Sequence, residues 1–285
     1  MASHVVNPAG EPSLIQSLLF VPGNRPERFD RALATEADLV CIDLEDSVPP
    51  DQKTAAREAF AAYAAVHPGD RLGVRINAVD GAWVGADLLA ARAAAFVMLP
   101  KAESGDALAA AHGVLAASTL WPLVETAAGL RNVWQIAAAP GVAGVLFGAF
   151  DFAADVGCEM EWEPLLFARS QVAVACAAAR IQAMDAPSGD LQDLMGLITS
   201  TRRAKTLGFT ARACIHPDQI SGVHEGLAPT PDEVQRAMKI VAAFEAANGA
   251  AAQLDGRLIE RPVAAAAERL LARVRRLLDG SDKGP

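Results

Sequence analysis

Arg75, Lys101, Glu125 and Asp151 each follow a short apolar run. So do the segments Pro22-Gly23-Asn24-Arg25-Pro26 and Asp43-Leu44-Glu45-Asp46. One charged residue in such a place is ordinary loop chemistry, but six such positions form a set with a definite reactivity. Glu125 and Asp151, read as the ends of neighbouring strands about 4.8 Å apart, bring two hard carboxylates to one point. Magnesium suits such a pair, because it takes one or two protein carboxylates and completes its shell with water and substrate oxygens. The same acids could instead share a proton or pair with Arg75 and Lys101. Zinc is disfavoured, since His216 alone falls at a strand end while His4, His67, His112 and His224 are dispersed. Arg75 offers a planar fork for a carboxylate. Metal and arginine together describe a receptor for a 2-oxo or 2-hydroxy acid. Asp43, Glu45 and Asp46 either hydrogen-bond the water around the cation or balance Arg75 and Lys101.

Positioning these groups requires a repeated scaffold. Eight apolar runs are legible: Ser17–Val21, Leu39–Ile42, Leu72–Val74, Phe96–Leu99, Leu120–Val124, Val142–Phe147, Arg180–Met184 and Ala211–Ile215. They are continuously apolar, as parallel strands covered on both faces must be. Their ends recur about every 28 residues, close to one βαβ unit. Helices are expected from Pro26-Glu27 and over 51–66, 103–117, 127–138, 164–179 and 191–206. The pattern predicts an α/β fold, a (β/α)8 TIM barrel whose active site lies at the C-terminal strand ends. A doubly wound sheet is the alternative, but no glycine-rich nucleotide motif supports it. Pro229-Thr230-Pro231 marks a boundary, with Thr230 capping a helix that starts at Pro231. The chain is therefore divided into a catalytic barrel, 1–228, and a C-terminal helical extension or lid, 229–285. That extension is expected to hold a loop at Asp255-Gly256 and a last helix over 262–278. The first dozen residues and the closing Ser-Asp-Lys-Gly-Pro are expected to fray.

Composition narrows the partners. The chain has 285 residues, 52% hydrophobic and 21% charged, which excludes a disordered polymer and supplies a large core. Its net charge of −9 argues against a nucleic-acid partner. No run approaches the roughly 18 apolar residues of a membrane span, and 1–16 lack signal-peptide features. The four cysteines are scattered, as expected of free thiols in a cytoplasmic protein.

Taken in order along the chain, certain motifs resemble one family. They are Leu19-Phe20-Val21-Pro22-Gly23-Asn24-Arg25-Pro26, Asp43-Leu44-Glu45-Asp46-Ser47-Val48, Val74-Arg75-Ile76-Asn77, Leu99-Pro100-Lys101, Val124-Glu125-Thr126-Ala127 and Gly148-Ala149-Phe150-Asp151, followed by 254–262. The chain resembles the citrate lyase β-subunit-like proteins of the HpcH/HpaI aldolase superfamily, relatives of malyl-CoA and citramalyl-CoA lyases. The resemblance implies a Mg2+-dependent barrel acting on CoA thioesters, assembled as a homotrimer or hexamer. It implies Glu125 and Asp151 as metal ligands, with Glu125 also on the substrate side, and Arg75 as carboxylate clamp. Phe20, Arg25 and Arg31 are implied as CoA contacts, and Asp255 as a catalytic acid or base supplied by a neighbouring subunit. The implied reaction is reversible carbon–carbon cleavage of a hydroxy-dicarboxylic acyl-CoA, such as malyl-, citramalyl- or citryl-CoA, to an acyl-CoA and a 2-oxo acid. Three rivals stay open: a malyl-CoA-type thioesterase, an aldolase without CoA, and a citrate lyase β subunit that depends on an acyl carrier partner.

Overall fold

The computed structural model describes residues 15–115 and 118–281. The fraying expected of residues 1–12 lies outside the described residues, as does that of 281–285 except at Ser281, which ends a helix, and as do Ala116 and Ala117 of the helix expected over 103–117. The chain divides after Leu227 into two compact units.

In the first unit eight parallel strands close a barrel in sequence order. They are β1 (Ser17–Pro22), β2 (Leu39–Asp43), β3 (Leu72–Arg75), β4 (Phe96–Leu99), β5 (Thr119–Val124), β6 (Gly144–Phe147), β7 (Gln182–Asp185) and β8 (Ala211–Cys214). Pairs from Ser17 with Arg212 to Leu19 with Cys214 join β8 back to β1. This is the expected (β/α)8 barrel. Two strand starts move inward. Val142 makes only an isolated bridge with Leu120, and Arg180, at φ 59°, is the left-handed stop of the helix Trp162–Ala179.

The strands are apolar on both faces for two reasons. Outward residues such as Val40, Ile42, Val74, Val97, Val124 and Val145 pack under the helices. Inward residues form a second cluster, including Leu18, Leu39, Cys41, Phe96, Met98 and Trp121. Two glycines make that filling possible. A Cβ on Gly73 would stand 2.4 Å from the Phe96 ring, and one on Gly144 2.4 Å from the Trp121 ring. The inward alternation has a period of two, so the next inward positions after Cys41, Gly73 and Leu123 are Asp43, Arg75 and Glu125. One parity thus makes a dry plug below and a charged layer above.

Helix boundaries follow local capping. Ser104 accepts from the Ala107 N–H and starts Gly105–Val114, and Asp193 accepts from the Gly196 N–H and delays its helix to Leu194–Leu207. A 3-10 turn at Pro50–Gln52 precedes Lys53–Val66. The helix expected over 127–138 is broken at Asn132 into Ala127–Arg131 and Val133–Ala137. The Asn132 side chain donates to the Glu103 carbonyl at 2.7 Å instead of continuing a helical surface.

The second unit opens on Pro231–Ala246, where Thr230 and Glu233 form a reciprocal capping box. The expected loop at Asp255-Gly256 is instead the turn of an antiparallel hairpin, Ala252–Leu254 with Arg257–Ile259. Asp255 at φ 50° and Gly256 at φ 75° supply the two positive φ angles of such a tight turn. Arg261–Ser281 forms the last helix, and Ile240, Phe244, Ile259 and Ala264 fill a small core. Among the described residues no helix is long and apolar enough to cross a membrane.

Candidate functional site

At the C-terminal strand ends a cavity of about 400 Å3 is lined by Phe20, Asp43, Arg75, Glu125, Asp151 and Ile215, among others. Arg75 is the centre of its charged wall. Its Nε and Nη2 donate to the two Asp43 oxygens at 2.6 and 2.7 Å, a two-pronged pair across adjacent strands. Its Nη1 reaches Glu45 at 3.0 Å and Asp46 at 3.4 Å, and its guanidinium lies 5.0 Å from the centre of the Phe20 ring. Burial pushes the Asp43 carboxyl up, but the Arg75 charge and hydrogen bonds outweigh it and hold the group below its ordinary range. Arg75 is likewise disfavoured by burial and then raised overall by Asp43 and Glu45.

Glu125 follows β5 and is 2% exposed. Its Oε1 accepts from the Lys101 backbone N–H at 2.7 Å. Lys101 stands at φ 49°, an uncommon conformation for a side-chain-bearing residue, stored at the site to aim that N–H. Gly148 permits the approach from the other side: a Cβ there would lie 2.5 Å from the Glu125 Cβ and 2.7 Å from its Oε2. Burial, then the like charges of Glu45 and Asp151, push the Glu125 carboxyl up to about 8, against the Lys101 N–H and Arg75. Burial also lifts Glu45 to about 7, although Arg75 opposes it. The Arg75–Glu45 contact is an ion pair without hydrogen-bond alignment, so buried Oε2 of Glu45 has no hydrogen-bond donor.

Asp151 departs from expectation. β6 ends at Phe147, Gly148 caps the helix Ala149–Val156, and Asp151 sits exposed in its first turn. A helix start favours an acid there, so the carboxylate is carried by the helix, not by a strand end. Its charge still acts on Glu125.

Asp43, Glu45 and Asp46 do balance Arg75, and Lys101 Nζ lies 3.7 Å from Glu45. Five carboxylates, with Glu125 and Asp151, act with these two cations, while Lys53 Nζ is held by the Leu44 and Glu45 carbonyls. Among the described residues no group of three or more His, Cys, Asp and Glu forms a metal cage. An acid-rich mouth with an undonated buried oxygen and a carboxylate pair fits a hard cation that brings its own water.

The other expected residues are divided. Phe20 and Arg31 line a neighbouring cavity of about 280 Å3 with Arg28 and His216. Arg25 pairs with Glu27 at 2.6 Å on an exposed turn and does not line that cavity. Arg28 was not anticipated; its spacing of three from Arg31, on a helical segment, was the available signal. His216, expected at a strand end, lies in the loop after β8, which stops at Cys214. Asp255 occupies the exposed hairpin turn of the C-terminal unit.

Known proteins share this plan. Residues 16–217 match the HpcH/HpaI aldolase/citrate lyase family. A citrate lyase subunit beta-like protein of Mycobacterium tuberculosis is 38% identical over 264 residues, covering 90% of this chain and 94% of that protein. A (3S)-malyl-CoA thioesterase of Cereibacter sphaeroides is 30% identical over 268 residues, again with 90% and 94% coverage. The crystal structure of CitE from Mycobacterium tuberculosis, in complex with magnesium, acetoacetate and coenzyme A, matches with a TM-score of 0.83 and 36% identity. It covers 92% of this chain and 98% of that one.

Proposed function

Because the chain belongs to the HpcH/HpaI aldolase/citrate lyase family, we propose that it is a magnesium-dependent carbon–carbon lyase of hydroxy-dicarboxylic acyl-CoA thioesters. Its products would be an acyl-CoA and a 2-oxo acid. The observation that carries this reading is the excess of carboxylate around Glu125 and Asp151, set directly beside the Arg75 fork. Glu125 and Asp151 would hold the cation, which when bound lowers the pKa of a substrate hydroxyl and stabilises the carbonyl oxygen that replaces it. Arg75 has five N–H donors, two of them given to Asp43 and one directed to Asp46. The remainder can take the substrate carboxylate while Asp43 keeps the guanidinium plane fixed. In the cleavage direction the hydroxyl proton leaves to a base. The bond between the hydroxyl-bearing carbon and the thioester α-carbon breaks, and its electron pair passes to the thioester as an enolate. One proton then returns to that carbon. Asp255 of a neighbouring copy, in a homotrimer or hexamer, is proposed as the proton donor. Phe20, Arg28 and Arg31 would receive the CoA portion, with guanidinium groups suited to phosphate.

The similarity to a malyl-CoA thioesterase supports a second reading, in which water attacks the thioester at the same site. Product analysis separates the two. Purified protein with Mg2+ and malyl-, methylmalyl- or citramalyl-CoA should yield acyl-CoA and 2-oxo acid by mass, and nothing when EDTA is present. Free CoA with intact hydroxy acid would establish the thioesterase instead. Mixing Asp255→Ala with Asp151→Ala subunits should restore activity if the aspartate is shared, and leave none if each barrel uses its own.

A further inference from the structure

We infer that Gln219 is a positioning residue that sets the apolar wall of the mouth and thereby the choice of acyl group; this rests on the functional reading above. Besides the charged Asp43, Arg75 and Glu125, the cavity lining includes the apolar Phe150, Pro187 and Ile215, which follow β6, β7 and β8. Phe150 and Ile215 are 46% and 45% exposed, an arrangement suited to a carbon skeleton. Phe150 lies in the helix after β6 and Pro187 and Ile215 in the loops after β7 and β8, so something must fix them relative to one another.

Gln219, 3% exposed, begins the helix Gln219–Leu227. Its Oε1 accepts from the Ile215 N–H at 2.9 Å, and its Nε2 donates to the Ser188 carbonyl at 2.9 Å. One buried amide therefore ties the loop after β8 to the loop after β7. Glutamine suits the place, because glutamate supplies only acceptors and lysine only donors. The β7 loop has a second anchor: Arg212 Nε donates to the Ala186 carbonyl at 2.9 Å, while its Nη1 holds Ser200 and Thr201. Next to Ser188 in that loop, a Cβ on Gly189 would lie 3.2 Å from the Phe150 ring, so the loop rests against it. Ile215 also lines the smaller cavity with Arg28 and Arg31, so its position bears on both halves of a CoA ester.

The test compares wild type with Gln219→Leu and Gln219→Glu on malyl-CoA and its methyl-substituted homologue. Since one methylene in an apolar pocket is discriminated by about 10- to 200-fold, Gln219→Leu should shift the ratio of kcat/KM for the two esters by about tenfold, chiefly through KM. The magnesium concentration for half activity should stay that of wild type. Gln219→Glu keeps the acceptor for Ile215 and should recover part of the ratio. It also carries the test if the leucine variant does not fold. Hydrogen exchange of the Ile215 amide should quicken with leucine and stay slow with glutamate. Rates on both esters falling in equal proportion, or an unchanged Ile215 amide, would overturn the inference while leaving the lyase reading intact. A wild-type protein that turns over no CoA ester would overturn that reading, and the inference with it.

Discussion

The two ends of the barrel are built from the same strands by opposite rules. At the N-terminal end Phe96 and Trp121 fill the interior, and all but a few polar groups, Gln16 Nε2 among the exceptions, find partners close at hand. Gln182 Nε2 donates to the Ile15 carbonyl and Thr210, Ser118 to the Ala94 carbonyl, and Asp38 accepts from the Gln16 and Ser17 N–H groups. At the C-terminal end acids outnumber cations, Lys101 is conformationally strained, and an oxygen of Glu45 lacks a donor. The first arrangement minimises free energy without a ligand, and the second leaves work for one. Side chains at one end should therefore govern stability and those at the other turnover.

The largest separation is expected from Glu125→Gln. Turnover should fall about a thousandfold or more, as when a group acting on developing charge is removed. The thermal midpoint in metal-free buffer at neutral pH should hold or rise, because a buried carboxylate pushed up to about 8 disfavours the folded state there. Calorimetry beside initial rates checks both. Trp121→Ala should do the reverse, costing about 3–5 kcal/mol in urea unfolding with folded molecules still active in the cold.

Asp43→Asn probes where the contrast breaks down, since this mouth residue also neutralises a buried guanidinium. Breaking the pair should cost about 3 kcal/mol and impair turnover together. If stability is unaffected, Glu45 and Asp46 suffice for Arg75. Gly148→Ala is expected to be milder, at about 1–3 kcal/mol, because its new Cβ must displace Glu125. Its effect on magnesium dependence should exceed its effect on unfolding.

The smallest effect belongs to the plugged end. Burial raises the Asp38 carboxyl, but His224, whose Nε2 lies 3.6 Å away, and the Gln16 N–H hydrogen bond bring it below its ordinary 3.8. Because the folded value is the lower one, its contribution is complete above about pH 3.8 and is lost as pH falls through the folded value. Asp38→Asn should flatten the acid limb of a urea-midpoint profile between pH 5 and 2.5.

The sequence made the barrel readable because strands buried on both faces must be apolar throughout, and Arg75 and Glu125 were legible as the charged residues that follow such runs; their shared inward parity is visible only in the structure. Asp151 was placed one element too early. Phe147, Gly148, Ala149 and Phe150 read as one apolar run, and only the capping geometry of Gly148 shows where strand becomes helix. The hairpin at Asp255 escaped because its strands have three residues each, too few to display alternation, although Asp-Gly is itself a turn signal. Gln219 had no local signature at all. Its second partner lies 31 residues away, and a side-chain amide leaves no periodicity.

The Phe96 and Trp121 rings seated against Gly73 and Gly144 also decide traffic. Phe96 and Trp121 line a cavity of about 390 Å3 at the N-terminal end, and no residue lines both it and the charged mouth, so among the described residues the barrel is not a conduit. Whatever lies deepest must enter first and depart last. For a lyase of the proposed kind, the small oxo acid held against the carboxylates would be capped by the larger CoA portion at the rim. Release is then sequential, acyl-CoA before oxo acid, and in the condensing direction oxo acid must be seated before acyl-CoA arrives.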